Sequence, residues 1–213
     1  MNMRPHPQRL TRWPPMAKLG ADLNFVALDL EFNQPSRRII QVGLCLGRRD
    51  QAPEEYRTHQ WLVNPGERIS PEIEELTGIS DADVANGLSI GQMTAAVSAT
   101  IAADGPHHFN PVVWGDGDTH ALREAFQSVQ APFPFGRRSI DVKTWHAYLC
   151  FARGESGQGG LSSVMRRYGV PFLGQAHRAD VDACNTLRLF QAMLVRQERL
   201  NAMVEAAALL KVH

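Results

Sequence analysis

Residues 25–32 read FVALDLEF, an apolar run broken only by Asp29 and Glu31. Successive side chains of a β-strand alternate faces, so two acids two positions apart point the same way. Two carboxylates set side by side in an apolar strand lose hydration and repel each other. A divalent cation between them removes that objection, which makes this strand the first piece of a candidate metal site. The chain reads outward from it. NQPSRR at 33–38 is a turn, IIQVGLCLG at 39–47 completes an antiparallel hairpin, and YRTHQWLV at 56–63 alternates as a third strand before the turn at Asn64-Pro65-Gly66.

Beyond that turn the period changes. Ser70-Pro71 ahead of EIEEL predicts a capped helix with proline at its first position, ending at Gly78. A short helix follows Ser80, and a longer one over 89–103 is broken by Asp104-Gly105-Pro106. FNPVVW at 109–114 returns to strand, 119–129 to helix, and RSIDV at 138–142 predicts a short fifth strand feeding a helix around 143–152. GESGQGG at 154–160 lacks the GKS or GKT ending of a phosphate loop and reads as a connector. Residues 161–168 predict a short helix, and 177–210 one long helix or two. The expected class is α/β, with a mixed five-stranded sheet flanked by helices.

The 213 residues suit one domain, expected over 21–213, after a flexible, basic and proline-rich leader over 1–20. Acids and bases balance at 22 each, so a nucleic-acid partner would meet local basic patches rather than a polycation. Cys45, Cys150 and Cys184 lie in apolar stretches without CxxC spacing and read as reduced core thiols of a cytoplasmic protein. No run approaches the ~18 apolar residues of a membrane helix, and no membrane association is expected.

Two further segments extend the acidic pair. In VVWGDGDTHALREAF, Asp118 lies four residues before Leu122, so it begins the stripe Ala121, Leu122, Ala125, Phe126, Val129 and points back at the sheet. Asp116 is out of phase with that stripe; either acid alone reads as a helix cap. In AHRADVDACNTLRLF, His177 precedes Asp182 by five positions, and Asp182 begins the stripe Ala183, Leu187, Phe190. Asp180 lies off that line.

Taken together these motifs resemble the DnaQ-like, or DEDD, 3′–5′ exonucleases of the subclass with a histidine base (DEDDh), with a lean towards the Eri-type and KapD-like branch. Asp29-Leu30-Glu31 matches the first motif of that family, Asp118 the second, and His177 with Asp182 the third. LVNPGERISPEIEELTGIS and GLSSVMRRYGVP resemble the intervening segments, so the likeness runs from about residue 23 to 195. Phe32, where many members carry a small or hydroxylated residue, and the short first turn depart from the pattern.

The resemblance implies an RNase H-like fold and two Mg²⁺ or Mn²⁺ ions held by Asp29, Glu31, Asp118 and Asp182, with His177 as general base. It implies stepwise hydrolysis from a single-stranded or frayed 3′ end of DNA or RNA, releasing nucleoside 5′-monophosphates. Phe32, Thr77, Gly78 and Ile79 are the expected contacts to the terminal nucleotide, with Phe32 open to a plain core role. Arg37, Arg38, Arg166, Arg167 and Arg178 form a group suited to backbone phosphates. A non-catalytic nucleic-acid-binding regulator of the same fold and a phosphodiesterase of short oligonucleotides are the alternatives. Oligomeric state is open, a homodimer being one option.

Overall fold

The strand that opens the chain's logic, β1 (Asn24–Phe32), is the middle strand of a five-stranded sheet. The computed structural model describes residues 23–49 and 51–210, and the expected leader lies outside them. β2 (Ile39–Arg48) and β3 (Arg57–Leu62) follow as antiparallel neighbours, with a single 3₁₀ turn at Pro53–Glu55 between them. On the other side of β1, β4 (Val112–Val113) and β5 (Ile140–Asp141) run parallel to it, giving the order β3-β2-β1-β4-β5. The sheet is therefore mixed and five-stranded. The strand expected over 109–114 shrinks to two residues: Pro111 brings no N–H to a ladder, and Phe109 is exposed.

Helices cover both faces. α1 (Pro71–Thr77) starts at a Ser70 N-cap and stops at Gly78 in the left-handed region (φ 70°), where a side chain would be strained. α2 (Asp81–Ala85) and α3 (Ile90–Ala103) each begin with a capping box, from Ser80 and from Ser89. α4 (Gly117–Ser128) starts two residues earlier than expected, and Val129 at its end is exposed rather than part of the buried stripe. α5 (Val142–Phe151), α6 (Leu161–Arg167) and α7 (Ala179–Leu210) complete the chain, the last a single helix.

Strand alternation sorts the core into two layers. Val26, Leu28 and Leu30 of β1 pack with Met93 and Val97 of α3 and with Leu122 and Phe126 of α4. Phe25 and Ala27 face the opposite way, against Ala183, Leu187 and Phe190 of α7. Asp29 and Glu31 continue the Phe25–Ala27 row, so the pleat aims both carboxylates at the side where α7 begins.

Two features hold α7 against the sheet. Gly43 of β2 leaves room for the helix backbone: a Cβ there would lie 2.1 Å from the Ala179 carbonyl carbon. Cys45 of β2 is disulfide-bonded to Cys184 of α7, with Cα atoms 5.0 Å apart. This corrects the expectation of three reduced thiols; the partners are 139 residues apart, so no local spacing marks them, and only Cys150 is a free thiol. No described helix is long and apolar enough to cross a membrane.

Candidate active site

A cleft of about 630 Å³ opens at the end of β1. Its lining includes Asp29, Glu31, Asp118, His177 and Asp182, so residues spread over more than 150 positions of sequence meet in one place. Each arrives for a local reason. β4 runs parallel to β1, so both strands deliver their C-terminal ends to the same edge, where ligand sites of such sheets form. After β4 the chain turns at Gly115 (φ 95°), and Asp141 accepts the Gly115 N–H at 3.1 Å while also capping α5 through Thr144. Asp118 then enters the cleft from the first turn of α4. Asp116 is exposed and bonded instead to the Ser139 hydroxyl.

The third element is set by the start of α7. His177 adopts a left-handed backbone (φ 62°), and its N–H donates to Asp182 Oδ2 at 2.9 Å. One candidate metal-ligating atom from each of Glu31, His177 and Asp182 lies within 4.8 Å of the other two. Behind them the fully buried Gln41 accepts the Ala179 N–H at 3.0 Å, an orphan donor of the helix's first turn. Gln41 also donates to Gln60 at 2.6 Å, and Gln60 accepts from Arg178 at 3.2 Å. Asp180 sits beside this pair, 3.5 Å from Gln41 Nε2, and outside the cleft lining.

The electrostatics are those of an uncompensated anionic cluster. Burial, then Asp118, Glu31 and Asp182, push the Asp29 carboxyl well above its ordinary range. Glu31 is pushed up to about 8 by burial and by Asp182 and Asp118, with Arg178 pulling back. Burial lifts Asp118 to about 7 against the pull of Arg37, and lifts Asp182 against its bond and charge interaction with His177. Four acids gathered in one cleft, each held back from ionising chiefly by burial, form a donor set whose repulsion a divalent cation would relieve. Their oxygen donors suit hard divalent ions such as Mg²⁺ or Mn²⁺.

Other expected contacts fall differently. Phe32 lines the cleft, with the Arg37 guanidinium 5.5 Å above its ring. Thr77, Gly78 and Ile79 are not among the lining residues. The Thr77 hydroxyl is buried, donating to Ile73 O at 2.7 Å and accepting the Ile79 N–H at 3.1 Å. The Ile79 side chain is fully buried with Ile40, Ile69, Ile73 and Val84. Only exposed Gly78 of the three is turned outward, near Gln175 of the loop that leads to His177. Of the arginines, Arg166 lines the cleft and Arg38 is tied to Glu67 and the Pro65 carbonyl. Trp114, Leu161, Ser162, Ser163 and Phe172 also line the cleft and were not singled out from sequence; a tryptophan directly before the Gly-Asp-Gly-Asp turn was the available signal.

No curated protein matches the chain. Among solved structures, the nuclease domain of 3'hExo, a DEDDh family member bound to rAMP, is 20% identical with a TM-score of 0.69, over 81% of this chain and 92% of that one. A complex described as 3'-end specific recognition of histone mRNA stem-loop by 3'-exonuclease gives 19% identity and a TM-score of 0.67, over 81% and 82%. Cell-death related nuclease 4 (CRN-4) gives 16% and 0.68, over 81% of this chain and 64% of that one. These likenesses are of fold, and the sheet with its flanking helices is the RNase H-like arrangement of those exonucleases. The family model described as Exonuclease (RNase_T) matches residues 24–190, a span that takes in β1, the Asp118 turn and the start of α7. The chain belongs to that exonuclease family.

Proposed function

We propose that this protein is a metal-dependent 3′–5′ exonuclease that removes nucleoside 5′-monophosphates one at a time from a DNA or RNA strand. The observation that carries this reading is the convergence of Asp29, Glu31, Asp118 and Asp182 with His177 in one cleft. A binding protein has no need of four mutually repelling carboxylates beside an imidazole. Asp29, Glu31, Asp118 and Asp182 would hold the ions. Two divalent ions held there would supply Lewis-acid activation of the attacking water and would steady charge on the departing 3′ oxygen.

The chain's own residues do the rest. His177 is exposed at the cleft mouth, where its imidazole takes the proton of the attacking water and passes it to solvent. Its backbone N–H meanwhile orients the Asp182 carboxylate. Phe32 and Trp114 offer aromatic faces for the terminal base, a contact every base can make, which fits removal without sequence preference. Arg166 stands on the cleft wall for a backbone phosphate.

The test is incubation with 5′-labelled and 3′-labelled single strands of DNA and RNA, with Mn²⁺, Mg²⁺ or EDTA. A ladder of single-nucleotide steps on the 5′-labelled strand, immediate release of labelled mononucleotide from the 3′-labelled one, and silence in EDTA are the expected result. Internal cuts, or cleavage that survives EDTA, would overturn the reading.

A further inference from the structure

A second cavity, of about 580 Å³, lies where the loop after α5, the end of α6 and the middle of α7 meet. Three arginines line it, Arg153, Arg167 and Arg196, with Glu155 as the only acid in the lining. Arg153 is held by Glu155 at 3.0 and 3.1 Å. Arg167 reaches the Ser156 carbonyl at 3.4 Å, and Arg196 sits 5.5 Å over the Tyr168 ring. Neither Arg167 nor Arg196 has a carboxylate within ion-pair distance among the described residues. The pocket therefore holds more positive charge than it neutralises. The buried His146 at its floor registers this: burial, then Arg167 and Arg153, push its imidazole below its ordinary range.

An arginine in a helix's last turn has a simpler use, complementing the helix dipole, and Arg167 ends α6. That does not account for Arg196, which sits in the interior of α7 with its guanidinium carbon 5.5 Å from the Tyr168 ring centroid. Two guanidinium forks lining one hollow suit the oxygens of a phosphate diester. The position matters as much as the charge. Residues 160–163 and Arg166 line the acidic cleft, while Ser156, Arg167 and Tyr168 line the basic pocket. One short segment, 156–168, thus forms the wall between the two, and consecutive arginines serve different sides of it.

We infer that this pocket grips a backbone phosphate of the strand whose 3′ end lies in the acidic cleft, so that the strand crosses α6 between them. The inference rests on the nucleic-acid reading of the cleft and adds a path for the rest of the ligand. It makes binding depend on strand length and on two particular guanidinium groups.

The test measures anisotropy of a 5′-fluorescein-labelled ten-nucleotide strand with the full chain in EDTA, across a salt series. The variant is Arg167→Gln/Arg196→Gln, which keeps side-chain length and is checked for an unchanged Tm. Its control, Arg49→Gln/Arg57→Gln, removes the same charge near the sheet end where β1 starts, where those residues pair with Glu198 and Asp104. Loss of the grip on that phosphate is expected to weaken binding by about tenfold and reduce the slope of log K against log salt by roughly 0.7. The control is expected to change affinity by less than about twofold. Equal affinity in pocket variant and wild type, an equal loss in the control, or no strand binding by wild type would each overturn the inference. Calorimetry with inorganic phosphate separates the other source: heat lost in the variant while strand affinity stays unchanged means a free-anion site, and also overturns it. Wild-type protein that binds the strand through these arginines yet releases no mononucleotide with Mn²⁺ leaves the pocket standing and removes the hydrolytic reading.

Discussion

Asp29 is pressed towards its protonated form by burial and by three other carboxylates. Asp29→Asn keeps shape and removes the charge. It is expected to lower the rate of hydrolysis by at least about 10³-fold, since the proposed ion site would lose a ligand. It is also expected to raise the metal-free Tm, by about 2–4 °C for each kcal/mol of repulsion relieved. A fall in both activity and metal-free Tm would show that Asp29 holds the fold together rather than a cation. His177 calls for a different replacement. Its φ of 62° favours asparagine over most residues, and its N–H, not its ring, bonds Asp182. His177→Asn therefore leaves the cluster's geometry in place and removes the proton acceptor. Turnover is expected to drop by about 10²–10⁴-fold with little change in KM. A mainly KM-based loss would make His177 a substrate contact instead.

At the scale of elements, the site depends on how α7 meets β2. The helix start is fixed by three features of one strand: Gln41 caps Ala179, Gly43 admits its backbone, and Cys45 is bonded to Cys184. Gln41→Met fills the same space but strands the Ala179 N–H, with an expected loss of about 1–3 kcal/mol in urea unfolding. Because His177 and Asp182 straddle that turn, kcat is expected to fall as well. Unchanged stability would mean the capping bond is dispensable. Gly43→Ala is expected to be at least as severe, on the order of 1–3 kcal/mol, because its Cβ meets backbone that cannot rotate away. None of these contacts is written in local sequence. Asp29 and Glu31 were legible because the two-residue period of a strand is rigid, and Asp118 and Asp182 because each opens an apolar stripe at helical spacing. Gln41 looked like an ordinary polar break in an apolar strand, since its partner lies 138 residues away. The inward turn of Thr77 and Ile79 is hidden for a related reason: loop residues beside a helix end look exposed until the cap folds their side chains inward.

On the scale of the whole molecule, the four acids set metal-free stability against the catalysis proposed for them. Glu31 sits at about 8 and Asp118 at about 7, against ordinary values of 4.5 and 3.8. Between the two sets of values the folded protein keeps protons that the unfolded chain has released, so metal-free stability falls as pH rises through that window. The decline ends only near pH 8, once the folded carboxyls have ionised too. Divalent ions bound as proposed would reverse the balance, because the ionised cluster would hold them in the folded chain and is absent from the unfolded one. In EDTA, Tm is expected to be lower at pH 8 than at pH 6. Millimolar Mn²⁺ is expected to raise it more at pH 8 than at pH 6, and Asp29→Asn to blunt both responses. Scanning calorimetry of wild type and variant at the two pH values, with EDTA or Mn²⁺, checks all of this in one experiment. A manganese shift of equal size at both pH values would show that the ion binds somewhere other than these carboxylates.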